Sequence, residues 1–266
     1  MKQKSVISSM SNTQMKNLIM LQKKAKIRDE QGVFVIEGIK MFEEAKKAGL
    51  LIKTYASESF YHAKLQEESG YFADLDVEIV TDSVFQEISD MKTPQGIMGT
   101  VKKMEYSFEE IIGDSKACLL LLEDIRDPGN LGTMLRTAEG AGVTGVILNS
   151  SCADIYNPKV IRSTMGSIYR VPFYYAEDFF SIMTAIKKQG IMVYAAHLLG
   201  RAYDTEGSFQ KKCAFLIGNE ANGLSEEASA MADTLIKIPM AGSVESLNAA
   251  VAAAILMYEA ARQRRG

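Results

Sequence analysis

Leu216-Ile217-Gly218-Asn219-Glu220-Ala221-Asn222-Gly223-Leu224, followed by Ile238-Pro239-Met240 and then Ser246-Leu247-Asn248, reads as strand, loop, short helix, strand, loop and an Ala-rich helix. Loops that leave strand ends are where open α/β sheets bind ligands. A third such loop lies upstream, at Asp127-Pro128-Gly129-Asn130-Leu131-Gly132, with Arg136 on the helix that follows. Singly, each polar residue has a structural explanation. Asn130 suits a helix N-cap, Arg136 a surface charge, Asn219 and Glu220 a capped turn. Ser246 suits the cap of the last helix, with Asn248 in its first turn. Together they place an Arg, a Glu, two Asn and a Ser at strand ends without His or Cys, and that is a candidate site.

Working outward, residues 117–122 form a continuous apolar run suited to a central parallel strand. A helix is predicted over 130–140, a strand over 143–148 and a helix over 157–167. Strands over 171–174 and 191–196 flank a helix over 178–189. Such alternation predicts a parallel sheet with helices on both faces. Upstream, 14–27 reads as a basic amphipathic helix carrying Met15, Leu18, Ile19 and Leu21. A strand at 33–36, a helix ending before Gly49 and a strand at 98–101 follow. Residues 1–104 are therefore expected to be a small α/β domain, 105–116 a polar linker and 117–266 the second domain.

The 266 residues, 47% hydrophobic and 24% charged, are sufficient for two soluble domains with real cores. No apolar run reaches membrane-spanning length, and Met1-Lys2-Gln3-Lys4 opens no secretory signal. Cys118, Cys152 and Cys213 are scattered and fit no metal spacing, so a reducing cytoplasm is expected. With only His62 and His197, a His-based zinc site or hydrolase triad is excluded, and no metal is expected. Net charge is −3, yet Lys2, Lys4, Lys16, Lys23, Lys24, Lys26 and Arg28 precede any acidic residue, and Arg262, Arg264 and Arg265 close the chain. Local basic surface of this kind suits a phosphate backbone, although solvated helix faces give the same pattern. The glycines of Pro128–Gly132 are wrongly spaced for a dinucleotide fingerprint, and no P-loop is present.

The loop Asp127–Gly132 with Arg136-Thr137-Ala138 resembles the first motif of the SpoU (TrmH-like) RNA ribose 2′-O-methyltransferases. Gly218–Leu224 resembles the second, and Ile238-Pro239-Met240 through Ser246-Leu247-Asn248 the third. Phe34-Val35-Ile36-Glu37-Gly38 and Thr93-Pro94-Gln95-Gly96 resemble the small, ribosomal-protein-like α/β substrate-binding domain found in many members.

The resemblance implies a SPOUT catalytic domain: a parallel sheet with a C-terminal trefoil knot, usually a homodimer, binding S-adenosyl-L-methionine mainly through backbone groups. By motif position these are Gly218, Ile238 and Leu247, with Met240, Asn219 and Gly223 close by. Arg136 becomes the catalytic residue, with Asn130, Glu220, Ser246 and Asn248 around it. Because a guanidinium is not deprotonated in proteins, Arg136 is expected to hold a phosphate and stabilise a developing alkoxide. Lys16, Lys23, Lys24, Lys26, Arg28 and Arg162 are the candidate RNA contacts. The expected activity is ribose 2′-O-methylation of large-subunit (23S) rRNA, with tRNA as the alternative substrate. A non-catalytic RNA-binding or assembly protein is the rival from another class.

Overall fold

The computed structural model describes residues 6–206 and 208–265, so Lys2 and Lys4 of the basic run lie outside the described residues. The chain divides into two compact units, Met1–Met104 with Tyr156–Tyr169, and Glu105–Ile155 with Arg170–Gly266. Among the described residues, no helix is long and apolar enough to cross a membrane.

The first unit runs β1 (Val6–Ile7), α1 (Thr13–Lys23), α2 (Ala25–Gln31), β2 (Val33–Glu37), α3 (Ile39–Lys47), β3 (Leu51–Ser57), α4 (Glu58–Glu67), β4 (Val77–Val80), α5 (Asp82–Ile88) and β5 (Ile97–Lys102). The strands form one mixed sheet in the order β1-β4-β3-β5-β2. Asn12 caps α1 by accepting a bond from Gln14 N at 2.8 Å, and the helix buries Met15, Leu18 and Leu21. The predicted single helix over 14–27 is in fact two. Lys24 takes an extended backbone (φ −126°, ψ 113°), and the chain turns so that Arg28 donates to Leu21 O at 2.5 Å and Gln22 O at 3.2 Å. A cation on the last carbonyls of a helix satisfies groups that have no intrahelical partner. Arg28 is only 3% exposed, which removes it from the candidate RNA contacts. Lys16, Lys23, Lys24 and Lys26 are exposed as expected.

The second unit begins with α6 (Phe108–Ile112), inside the stretch expected to be linker. Ser107 and Glu110 form a reciprocal capping box there, and Ile111 is buried. Then follow β6 (Cys118–Leu122), α7 (Pro128–Ala141) and β7 (Gly145–Asn149). The next helix, α8 (Pro158–Thr164), belongs to the first unit, not to the second as the sequence suggests. Tyr156 leads into it by stacking on Phe34 with ring centres 4.8 Å apart and donating to Met104 O at 2.8 Å. Arg162 on α8 pairs with Asp90 at 3.6 Å. β8 (Phe173–Ala176), α9 (Phe179–Lys188), β9 (Met192–Ala202), α10 (Tyr203–Glu206), β10 (Cys213–Ile217), α11 (Glu226–Met231), β11 (Thr234–Lys237) and α12 (Ala249–Arg264) complete the chain.

All pairings in this second sheet are parallel, in the order β11-β9-β10-β6-β7-β8. Every residue of β6 and β10 is buried, as expected of strands covered on both faces. Leu119 and Leu121 meet the α9 residues Met183 and Ile186, while α12 packs against α7 and β10. β9 outruns its predicted end at 196 because β11 pairs with it on both sides of an excursion. Leu235 lies opposite Ala195 and Ile236 opposite Arg201, so residues 196–200 loop out, with Leu199 85% exposed. Gly200 makes the return possible, since a Cβ there would lie 2.6 Å from the Ile236 backbone.

Arg264 fixes the far end of α12. Its guanidinium donates to the carbonyls of Phe209 (2.7 Å), Lys116 (2.7 Å), Lys211 (2.6 Å) and Ala117 (3.1 Å), at the amino-terminal approaches to β6 and β10. This arginine is therefore spent on structure rather than on phosphate. Arg264→Ala should lower unfolding stability by about 2–4 kcal/mol, since hydrogen bonds to charged groups contribute roughly 1.5–3 kcal/mol each and their losses overlap. Chemical denaturation of the purified protein measures it, and Arg264→Lys should recover only part because a point ammonium cannot span the same carbonyls.

Candidate active site

The adjacent strands β6 and β10 end in register, Leu122 opposite Ile217, so their exit loops emerge side by side. Asp127, not Asn130, is the N-cap of α7: its side chain accepts from Asn130 N at 2.8 Å and Pro128 begins the helix. That leaves the Asn130 side chain free for other work. Its Nδ2 donates to Glu220 Oε1 at 3.0 Å, and its Oδ1 accepts from Asn248 Nδ2 at 3.0 Å. Glu220 also accepts from Asp127 N at 3.2 Å and Arg126 N at 3.4 Å. Burial opposes ionisation of Glu220, but the Asn130 amide and these backbone N–H groups outweigh it and hold the carboxyl below its ordinary value. Asn248 is itself the N-cap of α12, accepting from Ala250 N at 2.9 Å and Val251 N at 3.3 Å; Ser246 lies outside the helix and does not cap it.

Asn219 closes the second loop on itself. Its backbone exchanges two 2.9 Å bonds with Gly223, its Oδ1 accepts from Ala221 N and Asn222 N, and its Nδ2 donates to Asp124 O at 2.8 Å. Gly218 is pressed against this turn, and a Cβ would lie 2.4 Å from Gly223 C and Leu224 N. Asp124 holds a left-handed backbone (φ 56°), locked by two bonds exchanged with Asn149 at 2.7 and 3.0 Å. Beneath it, buried Glu123 accepts from Ser225 N and Oγ at 2.8 and 2.7 Å. The sequence does not single out Glu123, Asp124 or Asn149. Asp127 is legible as an acid before an N1 proline; the others pair across elements and leave no local trace.

Arg136 and Ser246 are exposed, and their side chains form no hydrogen bond or ion pair among the described residues. The structure thus joins Asn130, Glu220 and Asn248 of the expected catalytic set and leaves the other two uncommitted. Arg162 lies in the first unit, paired with Asp90.

A family model described as the SpoU rRNA methylase family matches residues 117–258, and one described as the MRM3-like substrate binding domain matches 12–99. The chain belongs to the SpoU rRNA methylase family. It is 33% identical over 256 residues to the 23S rRNA (guanosine(2553)-2′-O)-methyltransferase RlmP of Bacillus subtilis, covering 95% of this chain and 97% of that one. It is 29% identical to human mitochondrial rRNA methyltransferase 3, covering 94% and 72%. An AdoMet-bound rRNA methyltransferase from Sinorhizobium meliloti superposes with a TM-score of 0.83 at 31% identity, covering 97% of both chains.

For a SpoU methylase the residues present suit S-adenosyl-L-methionine. Between Ile238 and Leu247 no main-chain group takes part in a backbone–backbone bond outside strands and helices among the described residues. Those N–H and C=O groups are open to hydrogen bonds from a ligand.

Because the Glu220 carboxyl is held below its ordinary value of 4.5, it stabilises the fold fully above that pH and loses the contribution as pH falls through the folded value. Wild type should therefore be more stable than Glu220→Gln at about pH 6, and the gap should narrow as pH falls below 4.5. Denaturant midpoints across this range check it.

Proposed function

We propose that this protein transfers the methyl group of S-adenosyl-L-methionine to a ribose 2′-oxygen of structured RNA, with large-subunit rRNA as substrate. The observation that carries it is the Glu220–Asn130–Asn248 chain, with an uncommitted Arg136 on the same helix as Asn130, in a chain belonging to a family of rRNA methylases. When bound, the cofactor supplies an electrophilic methyl on a sulfonium. Glu220, ionised, orients the Asn130 amide, and Asn130 orients Asn248, so the loops that face the ribose hold one geometry. Arg136 holds the neighbouring phosphate and stabilises negative charge on the 2′-oxygen as its proton leaves to solvent. Gly218, Asn219, Gly223, Ile238, Met240 and Leu247 line the cofactor. The first unit captures the RNA, helped by Lys16, Lys23, Lys24 and Lys26. The intact polar set speaks against a purely structural RNA-binding protein.

We further infer a knotted segment between β11 and α12. The chain leaves edge strand β11 and returns past the ends of β9 and β10 to reach α7, which supports such threading. A homodimer is supported by Val251 (47% exposed) and Tyr258 (48% exposed), two turns apart on α12. Three free, buried cysteines accord with the cytoplasm.

Tritiated S-adenosyl-L-methionine and total RNA from cells lacking the gene test the activity. Label should appear as a 2′-O-methyl nucleoside in the large rRNA, and Arg136→Ala should reduce the rate by about 10²–10³-fold. Label confined to tRNA would change the substrate, and no label in any RNA would refute methyl transfer. Sedimentation should give twice the chain mass, reduced to the single-chain mass by Val251→Glu with Tyr258→Glu.

A further inference from the structure

The first unit contains a cavity of about 380 Å³ at the carboxyl ends of β3 and β4, within the usual range of small-molecule sites, roughly 300–1,000 Å³. One wall is Phe60, half-buried and held edge-on by Tyr71 and Phe72 at centroid distances of 6.3 and 6.5 Å. Gly96 (φ +79°) closes the back so tightly that a Cβ would lie 2.6 Å from Phe60 Cβ and 2.8 Å from Ser57 Oγ. The aromatic face is thus set in place without help from a ligand.

The rim is polar and acceptor-rich. Asp82 Oδ1 accepts from Ser59 Oγ at 2.5 Å and from Ser59 N at 3.4 Å. A carboxylate accepts at about four lone-pair positions, so capacity remains. Gln95 spends Oε1 on Ile39 N at 2.7 Å, which leaves its Nε2 without a partner among the described residues. The Gln86 carboxamide, one turn from Asp82 on α5, has none at either end. No lysine or arginine lines the cavity. Asp82 occupies the place beside the α4 amides that an anion would take, so the site repels phosphate and calls for a ligand that donates.

We propose that this cavity binds one unpaired RNA base, guanine above the others, stacked on Phe60 and read along its Watson–Crick edge. Guanine presents N1–H and N2–H₂ side by side to Asp82, and its O6 accepts from a carboxamide of Gln86 or Gln95. Splayed single-stranded bases stacked on aromatics and read on this edge are the usual means of sequence-specific RNA recognition. The proposal rests on the reading that the chain acts on RNA, and it adds which feature of the RNA the first unit selects.

Fluorescence anisotropy of the full chain with two short single-stranded RNAs, a uridine run and the same run with one central guanosine, tests it. Wild type should bind the guanosine form about tenfold more tightly, the scale of a bidentate base contact. Asp82→Asn and Gln86→Ala, both at exposed positions, should cut that preference below about twofold. Both variants should stay folded at the assay temperature, as thermal melts check, with Asp82→Asn slightly less stable because the carboxylate accepts from Ser59. Equal binding of both RNAs, or a preference that survives both substitutions, overturns the proposal even if rRNA is methylated. A guanosine preference lost in the variants supports the pocket even if no RNA is methylated, in which case only the methyl-transfer reading fails.

Discussion

Glu220 is the carboxylate on which the geometry of the second unit's loops depends. It accepts from the backbone N–H groups of Arg126 and Asp127, from the Asn130 amide on α7, and at longer range from the Asn219 amide beside it. Because the Asn130 nitrogen must donate to Glu220, its oxygen must face Asn248, and Asn248 can then offer only its own nitrogen. The remaining Asn248 oxygen caps α12. One ionised group therefore sets the direction of every amide in the chain. Hydrogen bonds to an ionised acceptor are stronger than neutral ones, so the order propagates outward from the charge. Since Glu220 and its partners reach solvent, what this arrangement secures is precision of the loops more than global stability.

Two supports hold that chain in register. Glu123 binds Ser225 from below, and Asp124 binds Asn149 and Asn219 from the side. The left-handed backbone at Asp124 carries a cost that the surrounding bonds offset, and it turns the chain sharply between β6 and α7. At the other end of α12, Arg264 ties the helix to the carbonyls before β6 and β10. The Ala-rich helix is therefore pinned at its first residue by Asn248 and near its last by Arg264. A helix held at both ends presents Asn248 to Asn130 with little freedom.

The strands of the second unit are legible because β6 and β10 are uninterrupted apolar runs, and the order of the three loops along the chain is enough to point to the site. What is not legible depends on partners distant in sequence. Asn130 resembles an N-cap, but Asp127 fills that role. Asn248 takes the cap expected of Ser246, which lies outside α12, because Asn248 reaches the amides of Ala250 and Val251. The end of β9 is hidden because β11 resumes pairing after an excursion that no local pattern announces. Arg28 counts as surface charge just past an expected helix over 14–27, whereas the break at Lys24 turns it onto the carbonyls of Leu21 and Gln22.

The fate of the arginines sharpens what a charge count can say. Arg28 and Arg264 are spent on carbonyls, Arg162 on Asp90 and Arg170 on Glu139. A guanidinium carries five donors in a rigid plane, which makes it the side chain that gathers several oxygens at once. The chain uses that property internally at these four positions. Lys16, Lys23 and Lys24 stay exposed and supply charge without fixed geometry. Arg136 is different: it stands exposed on α7, the helix that also carries Asn130. A planar cation with no side-chain partner among the described residues keeps all five of its donors for a ligand.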